Sequence, residues 1–320
     1  MKRSLQYFPV QLFAVIMGLS GLTIAFAKSW HFLNIPGFEY VYKFLPLVDT
    51  LLFFTVFGMY ILKWINYPQA VSDEFSHPVK SSFAAAISIS FLLLSIAYYD
   101  YAPSVSIVFW YIGTPLHLFF TYKVMKFWIE HKFEVGHINP GWFIPIVGNV
   151  LIPVVGVDAQ PEMVNIFFYA IGIFFWLVLF TIVIYRMVFH NPLGKRLLPT
   201  FFILIAPPAV GFISYFRITF GLIDTDSLFL YFIAMFIFVL LLSMIKQFLK
   251  IQFFISWWAY TFPMAALTIA TILMDSAYNN TLTYTTSLIL LAITTLLVIY
   301  VTYKTFIAVK NQKICIPEEE

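Results

Sequence analysis

Ten apolar runs, each near the ~20 residues a helix needs to cross the hydrocarbon core of a bilayer, leave this chain few ways to fold. They lie at about 9–27, 44–62, 81–98, 104–122, 140–156, 163–185, 199–216, 227–245, 253–274 and 284–303. Within hydrocarbon every backbone polar group must find a partner inside the protein, so runs of this length are helices. Charged residues make up only 10% of the 320 and hydrophobic ones 62%, whereas a soluble globular protein carries about 25% charged residues. The expected fold is an all-α integral membrane protein, with residues 1–320 as a single multi-pass transmembrane domain. Lys2 and Arg3 before the first run, and Ala25-Phe26-Ala27 at its end, have some character of a secretory leader; the run is read as a retained first span.

An even number of crossings puts both termini on one side. The N-terminus, the even-to-odd loops and the C-terminal tail hold fifteen of the eighteen lysines and arginines, and only Lys28, Lys43 and Arg217 fall on the other face. Under the positive-inside rule both termini are cytoplasmic, in a cell membrane, which would be the inner membrane in a bacterium.

Odd and even spans differ in kind. Interior prolines number five in the odd spans, Pro145, Pro153, Pro207, Pro208 and Pro263, against Pro115 alone in the even ones. The odd spans are also richer in small and hydroxylic residues, as in MGLSGL, SSFAAAISIS and APPAVG, whereas FFYAIGIFFWLVLF is bulky throughout. Small residues let helices approach closely, and backbone groups freed by proline are tolerated where they face protein or a water-filled cavity. The chain therefore reads as five helical hairpins of roughly 60 residues, with odd helices in an inner, pore-lining ring and even helices in an outer, lipid-facing ring. A solid bundle packed by the same residues is the competing reading.

The stretch WWAYTFPMAALTIAT, residues 257–271, sets Phe262 directly before Pro263 in the middle of an apolar span. Proline lacks an N–H and crowds the carbonyl four residues back, so a helix here should bend with Phe262 at the bend. Phe262 is thus a candidate pore constriction. Other candidate lining or bend positions are Gly18, Ser88, Pro145, Gly148, Asn149, Pro207, Pro208 and Thr261.

None of the odd spans as marked contains Asp, Glu, Lys, Arg or His. That argues against a proton pump, which keeps ionisable groups at membrane depth. Hydroxyls such as Ser20, Ser88, Ser90 and Thr261, the amides Gln11 and Asn149, and backbone N–H groups remain. Such a lining offers donors without fixed negative charge and suits a small anion better than a cation. Asp49, Asp100 and Asp275 read as solvated caps near helix ends, and Arg217 as an interfacial anchor. His117, the only histidine within a span, has no second histidine at i+3 or i+4 and reads as a packing residue. No metal, phosphate-loop or nucleophile-elbow motif occurs, and the single cysteine, Cys315, excludes an intramolecular disulfide. No enzyme activity, cofactor or metal is expected, and a net charge of +3 gives no reason to expect nucleic acid.

The stretches WWAYTFPMAALTIAT, LLPTFFILIAPPAVG (197–211) and NPGWFIPIVGN (139–149), with FAVIMGLSGL (13–22) and SHPVKSSF (76–83), resemble the TehA/tellurite-resistance and C4-dicarboxylate transporter family, whose plant branch is the guard-cell slow anion channels. The resemblance runs along nearly the whole chain. It implies ten transmembrane helices around a pore, a homotrimer with one pore per subunit, and a phenylalanine on the ninth helix that plugs the pore, corresponding to Phe262. Plant members carry long phosphorylated tails; here the segments outside the first and last spans are short and end Glu318-Glu319-Glu320, so tail phosphorylation is not expected to control the gate. Within the family the function divides among chloride and nitrate channels, dicarboxylate carriers and tellurite or sulfite transport, and fold alone does not choose. The expectation is an anion channel gated by Phe262, with a proton-coupled carrier of malate, tellurite or sulfite as the alternative. A carrier of two carboxylates should offer an arginine clamp, for which Arg217 is the sole residue near a pore helix.

Overall fold

The computed structural model describes residues 4–317; Lys2, Arg3 and Glu318–Glu320 lie outside them. Among the described residues every regular element is helical. Ten long segments follow one another: α1 (Val10–Leu33), α2 (Phe38–Asn66), α3 (Lys80–Tyr98), α4 (Pro103–Glu130), α5 (Pro140–Gly156), α6 (Glu162–Phe189), α7 (Leu198–Ile218), α8 (Thr225–Ser243), α9 (Ile255–Tyr278) and α10 (Thr281–Lys310). Nine are long and apolar enough to cross a membrane, and α5, at 17 residues, is shorter. At 1.5 Å per residue α5 still reaches about 26 Å. The helices α2, α4, α6 and α10 run to 28–30 residues, longer than the apolar runs suggested. The last turns of α2, α6 and α10 carry the basic residues Lys63, Arg186 and Lys310, which hydropathy alone assigns to loops although the backbone there continues as helix.

Each odd helix changes form about a turn or two from its start. α1 opens with a 3-10 turn, Val10–Leu12, before Phe13. α5 does so over Pro140–Phe143, α7 over Leu198–Ile205 and α9 over Ile255–Tyr260; in α3 the helix is interrupted between Phe83 and Ala86. The prolines explain three of these junctions. Pro145, Pro207, Pro208 and Pro263 fall in the first three positions of the α-helical part, where an N–H has no intrahelical acceptor and its absence costs nothing. Pro153 alone of the five sits deeper, inside its helix. The even helices run as continuous α-helix through Pro46 in α2 and Pro115 in α4; Pro46 joins Pro115 as an interior proline because α2 starts at Phe38, earlier than its apolar run.

Burial divides the helices by parity. The apolar windows of α1, α3, α7 and α9 are 72–100% buried, against 28–44% for the five even helices, and every residue of α5 is buried. Each odd helix packs on the even helix that follows it, and the odd helices touch in a closed cycle, α1 on α3, α3 on α5, α5 on α7, α7 on α9 and α9 on α1. Large apolar side chains such as Phe54, Ile129, Phe174, Phe236 and Leu296 on the even helices are exposed, a surface that suits lipid. The α1–α9 contact depends on glycine. A Cβ on Gly18 would lie 2.1 Å from Thr261 Oγ1 and 2.9 Å from the Trp258 ring, and one on Gly21 would lie 2.9 Å from Ala265 Cβ.

The two ends of the described residues meet, with Ser4 N–H donating to the Cys315 carbonyl at 3.1 Å. Beside them Lys63 is buried against Glu74 (2.8 Å) and donates to the Phe8 carbonyl (2.8 Å), with the Tyr60 hydroxyl on the same carboxylate.

Asp49 is not a solvated cap. It lies eleven residues into α2, is 1% exposed and accepts a hydrogen bond from Thr23 Oγ1 at 2.8 Å. The early start of α2 carries it to membrane depth, where a hydroxyl on α1 supplies the polar partner that burial demands. Asp275 is buried too and accepts from Thr283 (2.6 Å).

Candidate functional site

Two cavities lie along the axis enclosed by the five buried helices, and Phe262 is a wall of both. The first, about 30 Å³, opens among the 3-10 turns at the starts of the odd helices, bordered by Met17, Phe83, Ile144, Ile203, Trp258 and Pro263 among others. The second, about 90 Å³, lies toward the opposite ends, bordered by Gly21, Ile96, Leu151, Val210, Ile269 and Leu273 among others. At about 30 Å³ of liquid volume per water, these have room for about one and about three waters. The side on which the two ends of the described residues meet is called inner below, and the opposite side outer.

Phe262 is the second residue of the α-helical part of α9, just past the junction at Tyr260 and Thr261. It is 6% exposed. Across from it α1 presents Gly21, whose missing Cβ would stand 3.5 Å from Phe262 Cδ2. The ring is thus set on a backbone junction fixed by Pro263 and faces a helix that has no side chain at the point of contact. Thr261 turns its hydroxyl back onto the Trp258 carbonyl (2.7 Å) and packs under Gly18, so neither Thr261 nor Gly18 borders either cavity.

Ser88, Pro145, Gly148 and Asn149 come together elsewhere, around His117 of α4. His117 is fully buried; Nδ1 is 2.9 Å from Ser88 Oγ and Nε2 3.1 Å from the Pro145 carbonyl. A Cβ on Gly148 would fall 2.1 Å from His117 Cε1. The Pro145 carbonyl also accepts from Thr121 Oγ1 (2.8 Å) and Asn149 Nδ2 (3.1 Å). This cluster locks α3, α4 and α5 together and borders neither cavity; His117 is the packing residue its isolation suggested. Pro207 and Pro208 are buried at the junction of α7, also away from both linings.

Two residues that border the inner cavity, Gln11 and Ser256, each have a buried polar atom without a hydrogen-bond partner, Oε1 and Oγ, but neither atom reaches the cavity surface, which is wholly apolar. Gln11 was legible in the sequence as a polar residue of an odd span. Ser256 stood among aromatic residues with nothing to set it apart.

The outer cavity differs in having Lys28, Tyr99 and Arg217 in its lining. The odd helices α1 and α7 extend past the apolar runs, to Leu33 and Ile218, and bring Lys28 and Arg217 with them, so the absence of charge from the odd spans holds only for their central parts. Arg217 is no interfacial anchor. Its Nε donates to the Val154 carbonyl (2.9 Å), and its Nη2 contacts Tyr99 Oη (2.9 Å) and the Asp158 carboxylate. Lys28 is 3.1 Å from Asp100 Oδ2, and His31 Nε2 is 3.5 Å from the same oxygen. Burial, then the hydrogen bond to Asp158, raises the Tyr99 phenol above its ordinary value and keeps it protonated. Among the described residues no group of His, Cys, Asp and Glu could hold a metal ion.

A family model described as voltage-dependent anion channel, SLAC1, matches residues 7–306. The S-type anion channel SLAH3 of Arabidopsis thaliana is 32% identical over 302 residues, which cover 91% of this chain and 47% of that protein; this chain spans about half the length of that plant relative. The uncharacterized transporter MJ0762 of Methanocaldococcus jannaschii is 27% identical over 87% of this chain and 88% of its own length. The tellurite resistance protein TehA homolog of Haemophilus influenzae is 26% identical over 81% of this chain and 79% of its own. With a match that runs from before α1 into α10, this chain belongs to the SLAC1 family of voltage-dependent anion channels.

Proposed function

We propose that the protein is an anion channel whose path runs along the axis enclosed by α1, α3, α5, α7 and α9, with Phe262 as its gate, and that it passes small inorganic anions such as chloride and nitrate. The observation that carries this reading is the position of Phe262 between the two cavities, both of which it borders. A phenyl ring in an apolar neck leaves no room for the water an ion needs, and such a constriction gates by dewetting. Rotation of the ring, or a small shift at the junction before Pro263, would join the cavities. The outer cavity supplies basic side chains, and neither lining contains a carboxylate, which favours anions over cations.

The reading extends to a homotrimer with one path in each subunit, and to cytoplasmic termini on the strength of the basic residues at the inner helix ends. Reconstitution in a planar bilayer tests the function. Currents carried by chloride or nitrate, with a reversal potential in asymmetric KCl that follows chloride, are expected. Slow, saturable, pH-coupled uptake of malate, tellurite or sulfite without such currents would instead mean a carrier. Orientation is tested with a cysteine placed at Gly194, in the exposed loop before α7, in a Cys315→Ser background, because Cys315 itself is buried. An impermeant thiol reagent should reach Gly194→Cys only after the membrane is opened.

A further inference from the structure

The outer mouth is crossed by a chain of contacts that the conduction path does not by itself require. Lys28 on α1, Tyr99 and Asp100 just after α3, Asp158 just after α5 and Arg217 near the end of α7 meet over the outer cavity. The Tyr99 ring is within reach of two cations, with Lys28 Nζ 5.8 Å and Arg217 Cζ 5.0 Å from its centroid. Tyr99 Oη donates to Asp158 Oδ2 at 2.5 Å, on the carboxylate that Arg217 also holds. Two cations and two carboxylates balance, so the resting mouth presents no net charge from this group.

The two carboxylates are not equally held. Asp100 is 15% exposed and bound by Lys28, whereas the Asp158 side chain is 47% exposed on a turn. The guanidinium has partners besides Asp158. The Val154 carbonyl holds Nε, and the face of Tyr99 supports the plane; both are uncharged partners that leave the positive charge available. A carboxylate that swings into solvent would leave Arg217 positive at the cavity that Lys28 also borders.

We propose that Arg217 and Lys28 form an outer binding site for one small inorganic anion, which takes the place of Asp158 on the guanidinium before entering the path. Asp158 is then a built-in competitor that keeps the mouth neutral when no anion is present. Arg217 offers a planar fork suited to an oxyanion such as nitrate, and Lys28 adds a second positive charge without a fixed geometry. This site rests on the anion-conduction reading above and specifies where that path first recognises its ion.

The test uses the full chain with Phe262→Ala to remove the gate, in a planar bilayer with nitrate as the probe, titrated separately on each side. Arg217→Gln should raise the half-saturating nitrate concentration several-fold on the outer side, and Asp158→Asn should lower it several-fold. Neither should move the inner-side value. If the cluster is only a latch holding helix ends together, both substitutions loosen it and shift conduction in the same direction, which overturns the proposal. Equal shifts on both sides, or none, overturn it as well. If Arg217→Gln fails to give monodisperse protein, Lys28→Gln carries the same expectation as a smaller shift. A second readout needs no conduction: nitrate should raise the melting temperature of the purified protein in detergent, at lower concentration for Asp158→Asn and not at all for Arg217→Gln. Nitrate stabilisation with that pattern but no current with Phe262→Ala would leave the site standing and sink the channel reading. Current without the pattern would do the reverse.

Discussion

The two cavities on either side of Phe262 share a wall and little else. The inner one presents only apolar surface, with the unpartnered polar atoms of Gln11 and Ser256 buried behind it, among 3-10 turns that precede proline-marked junctions. The outer one is three times larger by volume, about 90 against 30 Å³, and has fixed basic side chains at its rim. Charge at a rim raises the local concentration of a counter-ion, whereas the width of a dry neck sets whether the ion can pass. On the proposed reading, recognition therefore falls at the outer rim and gating at Phe262, the wall that the two cavities share.

Removing the boundary gives the largest expected effect. Phe262→Ala should raise anion conductance by about tenfold or more, because a tenfold change needs only about 1.4 kcal/mol off the barrier and an ion crossing a dry apolar neck meets several kcal/mol. Phe262→Leu should fall between the two. An ordinary core phenylalanine would instead cost roughly 3–5 kcal/mol of stability when cut to alanine and give poor expression. A well-folded alanine variant with unchanged conductance would break the comparison at its centre.

Next comes the contact that holds the boundary in place. Gly18→Ala puts a methyl group where Thr261 and Trp258 already are, and should destabilise by about 1–3 kcal/mol, read as a lower melting temperature in detergent. Gly58→Ala, on an even helix with nothing within 4 Å of the added carbon, should be neutral or slightly stabilising, since alanine is the better helix former by about 1 kcal/mol. Equal responses at the two glycines would argue against a tight α1–α9 crossing.

The polar atoms behind the inner cavity are expected to matter less. Gln11→Leu and Ser256→Ala each remove a buried polar atom without a hydrogen-bond partner, and should raise the melting temperature in detergent slightly, by the equivalent of about 1 kcal/mol, without changing conductance or the order of preference among anions. A changed order would move selectivity to the inner end. Pro263→Ala should be smallest in stability, under about 1 kcal/mol, because the proline occupies a position whose N–H has no helical acceptor. It should alter open probability more than selectivity, as single-channel records would show.

Much of this was legible in the residues themselves. Ten apolar runs of bilayer length allow only helices, and the concentration of proline and small residues in alternate runs marked the helices that are buried. Phe262 stood out because a bulky ring directly before a proline is conspicuous in any apolar span. The Gly18 and Gly21 pair likewise announced a close helix contact, though not with which helix.

What the sequence could not supply was contact between residues far apart in the chain. Ser88, Pro145, Gly148 and Asn149 looked like lining because they are small or polar within odd spans, yet they gather on His117, since a buried imidazole needs partners on both nitrogens and a space without side chains beside it. Arg217 looked like an anchor at a helix end, because nothing local reveals that Tyr99, 118 residues earlier, lies under its guanidinium. Asp49 looked solvated until an earlier helix start placed it opposite Thr23. Length and periodicity fix which segments cross and which are buried, because those depend on each segment's own free energy in lipid. Which polar groups face a cavity and which satisfy one another depends on the rotation and crossing of neighbouring helices, and only the packed tertiary structure decides that.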